Sequence, residues 1–196
     1  MTIYVTSDLH FSHENILKHQ PNRKFDSIEE MNEGIVEEWN SVATSKDTIY
    51  ILGDVAFLGS NFITATLLAR LNGTIKVVPG NHDYDLWKVQ NYFKVLRHDK
   101  VTKKDTFEIL PPIFELKYRK HKIVMCHYPM ESWNGSCREI RSELNGVKKS
   151  SIMLHGHNHG KNTPCPFRMD VGMDATGRVL TPLDNIIDSF YPSKLK

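Results

Sequence analysis

Five short polar clusters divide this chain of 196 residues: Asp8-Leu9-His10, Gly53-Asp54, Gly80-Asn81-His82-Asp83, His127, and His155-Gly156-His157-Asn158-His159. Most of them follow directly on a short apolar run of β-strand character. Asp, Asn and His supply the oxygen and imidazole donors that divalent transition metals favour. A single such cluster would constrain little. Spread over positions 8 to 159 and set at strand ends, the five require a sheet whose loops converge on one edge.

The segments between the clusters tell what kind of sheet this is. Thr2 to Ser7 alternates as a short β-branched strand that stops at Asp8. Ser27-Ile28-Glu29-Glu30 is a capping box, and behind it Ile28, Met31, Ile35, Trp39 and Val42 keep a helical period to about Ala43. Thr48 to Leu52 reads as a buried strand, Asn61 to Leu71 as a helix closed by Asn72-Gly73, and Thr74 to Val78 as a third strand. The order β-α-β-α-β implies parallel strands joined by right-handed crossovers. In such sheets ligands sit beyond the carboxyl ends of the strands, where Asp8, Asp54 and Asn81 fall. Further on, Phe107 to Tyr118 and His121 to Cys126 read as a strand pair around Arg119-Lys120, and Ser150 to Leu154 as another short strand. Phe167 to Val171 and Arg178 to Leu180 read as a hairpin around Asp174-Ala175-Thr176-Gly177. No repeat, linker or low-complexity tract divides the chain, so a single domain over residues 1–196, without a cap domain, is expected.

Composition narrows the function classes. With 40% hydrophobic and 24% charged residues the chain has the make-up of a folded domain. Its net charge of +2 lacks the clustering of a nucleic-acid footprint. Lys103-Lys104 and Lys148-Lys149 are isolated pairs. Cys126, Cys137 and Cys165 are odd in number and lack CxxC spacing, which argues against a disulfide framework or a zinc knuckle and for a reducing compartment. No basic-then-apolar leader opens the sequence, and no apolar run nears the ~20 residues of a membrane span. A cytoplasmic protein with no membrane partner and no evident obligate protein partner is the expectation.

The cluster residues suggest specific chemistry. A Gly directly before Asp54, Asn81 and His157 permits a sharp turn and close backbone approach where side chains converge. Two neighbouring cations need a shared anionic ligand, and Asp54, isolated in its motif, is the candidate bridge. Asn81 would add a carbonyl oxygen without charge. His82, next along the chain, can point into the site without binding metal, leaving its proton available for acid catalysis.

Asp8-x-His10, Gly53-Asp54, Gly80-Asn81-His82-Asp83, His127 and Gly156-His157-x-His159 together resemble the five ordered motifs of the calcineurin-like metallophosphoesterases. Asp170-Val171-Gly172-Met173-Asp174 is similar to the strand that closes that fold, and Asp8 to Ile16 resembles a group of small bacterial and phage members. One position departs from the pattern: Cys126 stands where relatives often carry Gly. The resemblance implies an α/β fold, an αββα sandwich of two mixed sheets with the site at strand C-terminal ends. It also implies two divalent ions (Mn, Fe, Ni or Zn), one on Asp8, His10 and His159, the other on Asn81, His127 and His157, with Asp54 bridging. His82 would be the general acid, oriented by Asp83. Two such ions clamp a phosphate ester and activate a bridging hydroxide for in-line attack. A phosphodiesterase is favoured over a phosphomonoesterase or nucleotide phosphatase, and a catalytically inactive binding scaffold of the same fold is the remaining alternative. The substrate is thus expected to be a phosphate ester, with nucleotides among the candidates.

Residues outside the motifs receive plainer readings. His13 divides between an exposed helix start and a substrate-facing position. Arg138 divides between surface packing and a phosphate contact, as do Trp133 and Asn134. His155 is read as a strand-end structural residue, Cys126 as buried packing, and Asp170 and Asp174 as turn or sheet-edge residues.

Overall fold

The computed structural model describes residues 1–57, 60–96, 106–136, 139–142, 146–149, 151–161 and 165–191. Its first half winds one sheet. Strand β1 (Ile3–Thr6) leads through a short helix α1 (Ile16–His19) to α2 (Ile28–Val42), followed by β2 (Thr48–Ile51), α3 (Asn61–Ala69), β3 (Thr74–Val77), α4 (Leu86–Leu96) and β4 (Phe107–Ile109). Strands β1 to β4 lie side by side and parallel, with Tyr4 beside Ile49 and Ile49 beside Ile75.

Helix α2 begins as its capping box dictates. Ser27 Oγ accepts from the Glu30 amide at 3.1 Å. The Glu30 carboxylate, however, reaches the Asp26 amide at 2.7 Å, one residue before the box's own N-cap. The apolar stripe of α2 buries Met31, Ile35, Val36 and Trp39, and the Trp39 indole donates to the Asn72 carbonyl at 3.0 Å. Helix α4 is not among the sequence expectations, although its buried Leu86, Val89 and Phe93 keep helical spacing.

The second half builds a second sheet and then returns to the first. Strands β5 (Ile113–Tyr118) and β6 (His121–Cys126) form an antiparallel pair. A small antiparallel pair follows, β7 (Glu139–Ser142) and β8 (Gly146–Lys149). Then come β9 (Ser151–His155), β10 (Arg168–Asp170), the helical turn α5 (Met173–Thr176), β11 (Thr181–Pro182) and α6 (Leu183–Phe190). The second sheet has the order β10-β9-β6-β5, and β11 adds antiparallel to β1 at the edge of the first.

Two expectations fail here for identifiable reasons. Phe107 to Tyr118 is two strands in different sheets, because Pro111-Pro112 removes two ladder donors and fixes φ where a continuous strand would need both. The segment from Phe167 to Leu180 is no hairpin either. Strand β10 pairs parallel with β9, a helical turn capped by Gly177 at φ 69° intervenes, and the chain crosses to the other sheet.

Strand alternation divides the apolar residues between two cores. Tyr4, Ile49, Ile51, Ile75 and Val77 face α2, α3 and α4. Val5, Tyr50, Leu52 and Val78 face the second sheet, meeting Ile123, Met125, Ile152 and Leu154 there, with α6 adding Leu183, Ile186 and Ile187. At about 1.5–3 kcal/mol per fully buried aliphatic side chain, the inter-sheet core fixes one sheet on the other. The fold is α/β with two mixed sheets, and it places the loops that follow β1, β2, β3, β6 and β9 along a common edge. No helix among the described residues is long and apolar enough to cross a membrane.

Candidate metal centre

The loops at that edge are held in backbone conformations that side-chain-bearing residues rarely adopt. Asp8 (φ 58°), His10 (φ 53°), Ser12 (φ 61°), Asp54 (φ 52°), His157 (φ 73°) and His159 (φ 50°) are all left-handed. Such residues cluster where the surrounding structure over-determines them, at functional sites above all. The bonds that impose them join loop to loop. The Asp8 amide donates to the Gly53 carbonyl at 3.1 Å and the His10 amide to the Asp54 carbonyl at 3.0 Å. The His157 amide donates to the Asp8 carboxylate at 3.0 Å. Gly156 leaves no room for a side chain, since a Cβ there would collide with Ser7 Oγ and Asp8 Oδ2.

Two groups of donors result. In one, ligand atoms of Asp8, His10 and His159 lie within 4.8 Å of one another; in the other, those of Asp54, His127 and His157 do. Asp54 stands between them, with Oδ2 3.6 Å from His10 Nε2 and 3.5 Å from His127 Nε2.

The hydrogen-bond chemistry of these groups is incomplete without a cation. His10 Nε2 is buried and has no hydrogen-bond partner. The His127 ring donates from Nδ1 to the Leu52 carbonyl at 2.8 Å. Burial pulls its pKa down, so the ring is neutral and Nε2 presents a lone pair. That lone pair faces Asn81 Oδ1 at 2.9 Å, His157 Nδ1 at 3.2 Å and Asp54 Oδ2. The Asn81 and Asp54 oxygens are acceptors too, and a lone pair set against them is unfavourable without a proton or a positive charge between them. The donor set therefore fits divalent ions, and its mixture of imidazole and oxygen suits transition metals.

Behind the donors lies a layer that the sequence reading missed. Arg23, 5% exposed, sends its guanidinium to the Asp8 and Leu9 carbonyls and binds Asp174 through Nε at 2.7 Å and Nη2 at 2.6 Å. Asp174 in turn accepts from His159 Nδ1 at 2.6 Å, which fixes the tautomer and leaves Nε2 toward Asp8 at 3.9 Å. Asp174 is thus no mere turn residue: it connects the chain's closing segment to the first donor group. Asp170 holds the last motif from below, accepting the Gly160 and Gly172 amides at 2.9 Å each. His155 is 1% exposed and donates to the Gly156 carbonyl at 2.9 Å, a structural position as expected.

The model of the calcineurin-like phosphoesterase family matches residues 1–161, a stretch that contains all five clusters. The chain belongs to that family. It is a family of phosphoesterases that use divalent metals, and the two donor groups are its candidate ligands here. Relatives include MJ1445, an uncharacterised protein of Methanocaldococcus jannaschii, 30% identical over 161 residues (82% of this chain, 70% of the relative). The Gene 66 protein of Mycobacterium phage L5 is 26% identical over 199 residues, covering 94% and 92%. In fold the chain is similar to AQ665, a protein of unknown function from Aquifex aeolicus. The TM-score is 0.67 at 22% identity over 94% of this chain and 97% of that one.

In this member of the family the third cluster is arranged around Asp54. The His82 amide donates to Asp54 Oδ1 at 3.0 Å, and its ring, 28% exposed, keeps Nε2 3.8 Å from Asp54 Oδ2. Asp83 accepts the backbone amides of Gly80 (2.8 Å), Asp54 (2.8 Å) and Val55 (3.0 Å). It thus ties the loop that carries His82 to the Asp54 loop. Burial raises the Asp83 carboxyl to about 6 despite those amides. His13 sits at the rim, its Nδ1 3.2 Å from His10 Nδ1 and its ring 4.1 Å from that of Phe57. Burial lowers its pKa to about 4. Trp133 donates to Ser151 Oγ at 2.9 Å and Asn134 to Glu115 at 2.7 Å, which are packing roles. Arg138 lies outside the described residues.

Proposed function

We propose that this chain is a single-domain, two-metal phosphoesterase that prefers phosphodiesters. Asp8, His10 and His159 would hold one ion and Asn81, His127 and His157 the other, with Asp54 shared. Mn, Fe, Ni or Zn suits such a donor set better than calcium, which prefers oxygen alone. The observation that carries this reading is the Asp54 carboxylate, one oxygen of which is 3.6 Å from a donor of the first group and 3.5 Å from a donor of the second. Bound ions would acidify a water and offset negative charge at phosphorus.

The chain's own residues supply the rest. Asp54 is oriented by the His82 amide, and its neutral imidazole neighbours keep their lone pairs for ligation because burial opposes their protonation. His82 is the partly exposed ring beside the bridge and would deliver a proton to the leaving oxygen. The preference for diesters rests on the cations available among the described residues. Arg23 is buried behind the donors and directed at carbonyls and Asp174, so it does not offer the extra positive charge that a monoester dianion favours.

The test reconstitutes metal-stripped protein with single divalent ions. Asp54→Ala is expected to lose metal and activity together. His82→Ala is expected to keep its metal and lose turnover by about 10²–10⁴-fold, with a smaller penalty for leaving groups that need no proton. Full activity after exhaustive chelation would sink the proposal. A tenfold monoester advantage over the matched diester would make the chain a phosphatase.

A further inference from the structure

His82 borders more than the donor groups. It also lines a cleft of about 300 Å³ between the N-terminal ends of α3 and α4, at the lower end of the size range of small-molecule sites. The residue read as the proton donor is thus common to the Asp54 side and to an adjoining concavity, which is where a group departing from phosphorus would lie.

The lining indicates what that group is. Val55, Leu86 and Val89 form an apolar floor, each at most 6% exposed. Asn61 and Asp85 add polar atoms at one side, where the Asp85 carboxylate lies 3.5 Å from Asn61 Nδ2 and 3.0 Å from Lys88 Nζ. Tyr84, 84% exposed, places an aromatic ring at the mouth. Asp83 and Asp85 are the ionisable carboxyls of the lining, which among the described residues contains no Lys or Arg. Lys88, the nearby ammonium, is engaged by Asp85. A second phosphate or a carboxylate would meet carboxylates there without a free cation, whereas a ring would cover the floor and hydroxyls would find Asp85 and Asn61.

We propose that this cleft receives the leaving alcohol of the substrate, an uncharged, hydroxyl-bearing group about the size of a nucleoside. This assignment rests on the phosphoesterase reading above. Water loses one proton to solvent as its oxygen bonds to phosphorus, and the bond from phosphorus to the alcohol oxygen breaks with its electron pair remaining on that oxygen. The proton from His82 then completes the alcohol in the cleft, and His82 recovers a proton from solvent after donating its own. Leaving groups that carry an additional anionic group are disfavoured.

Two measurements test the assignment, the first of them independent of activity. In the first, metal-free protein with labelled methyl groups is titrated with adenosine, and the signals of Val55, Leu86 and Val89 are expected to shift. In the second, Mn-loaded protein is given two diesters of equal leaving-group basicity, one releasing an uncharged nucleoside and one releasing the same nucleoside bearing a further phosphate. The uncharged one is expected to lead in kcat/KM by tenfold or more. Asp85→Lys should cut that ratio at least tenfold, and Asp85→Asn by a smaller factor. Diester hydrolysis with no methyl shifts and no charge preference would overturn the cleft and leave the phosphoesterase reading intact. Methyl shifts without hydrolysis of any phosphate ester under any metal would overturn the phosphoesterase reading, and with it the leaving-group role.

Discussion

Arg23 and Asp174 are 151 positions apart, and their bidentate ion pair is nearly excluded from water, with side-chain exposures of 2% and 5%. Removing one partner of such a pair leaves an uncompensated buried charge, which costs about 3–5 kcal/mol. Arg23→Met is therefore expected to lower unfolding stability by about that amount in denaturant titrations. Because Asp174 fixes the His159 tautomer, the same variant should weaken metal binding at the Asp8, His10 and His159 group by about 10–100-fold and leave the other group nearly unchanged. Calorimetric metal titration separates the two. Equal loss at both groups would mean that Arg23 serves only the fold.

The Asp8 carboxyl allows a second test at this scale. Burial raises it to about 7 in the metal-free protein, so below that pH a proton occupies a ligand position. Raised above its unfolded value of 3.8, this group favours the metal-free fold below about pH 4, and that contribution is lost as pH climbs towards 7. Metal binding has the opposite sign. Its affinity should rise with pH as Asp8 and His159, whose bond to Asp174 raises its pKa against burial, lose their protons; Asp8 gives up about one at pH 6 and little at pH 8. Titrations in buffers of different ionisation enthalpy count these protons. The candidate donors that the structure brings together were legible in the sequence because their residue types carry the chemistry. Arg23 and Asp174 were not, because a bond across 151 positions leaves no local pattern, and nothing in the letters marks Asp8 or His159 as left-handed.

Elements were legible where a local signal acts alone. Ser27 announces α2, and its deletion as Ser27→Ala should cost about 1 kcal/mol with metal binding unchanged, since the cap touches no donor. Gly156→Ala is expected to behave in the opposite way. A Cβ at that position meets Ser7 and the Asp8 carboxylate, so the last motif must move away from the first, and metal stoichiometry should fall even where the protein still folds. Thermal denaturation with metal analysis distinguishes the pair, and a Gly156→Ala protein with both ions bound would show that the contact gives way cheaply. Signals were weaker where partners decide. Pro111-Pro112 marks a break, but which sheet each flanking strand joins depends on β3 and β6. Strand β11 has two residues, one of them a proline, too little for any periodicity. The spacing of Leu86, Val89 and Phe93 was available in the sequence and would have located α4.

On the scale of the whole molecule, the donor groups span two sheets that are otherwise joined by apolar packing. Asp8, His10, Asp54 and Asn81 follow strands of the first sheet, while His127, His157 and His159 follow strands of the second. Ions held across that edge would bind the folded chain and not the unfolded one, so each adds about 2.7 kcal/mol of stability at a free concentration 100 times its Kd. Chelation should accordingly lower Tm, by an amount that grows with the metal concentration of the reference sample. The loss should also be local. Val5 and Ile123 lie in the inter-sheet core with no exposure, and their amides should keep their hydrogen-exchange protection when metal is removed. The amides of His10 and His157, bonded to the Asp54 carbonyl and the Asp8 carboxylate, depend on the loops remaining together. With the acceptor-lined interior unneutralised, mutual repulsion opens these loops, and their exchange should quicken well before global unfolding. Uniform quickening across both sheets would show that the ions hold the whole fold rather than its edge.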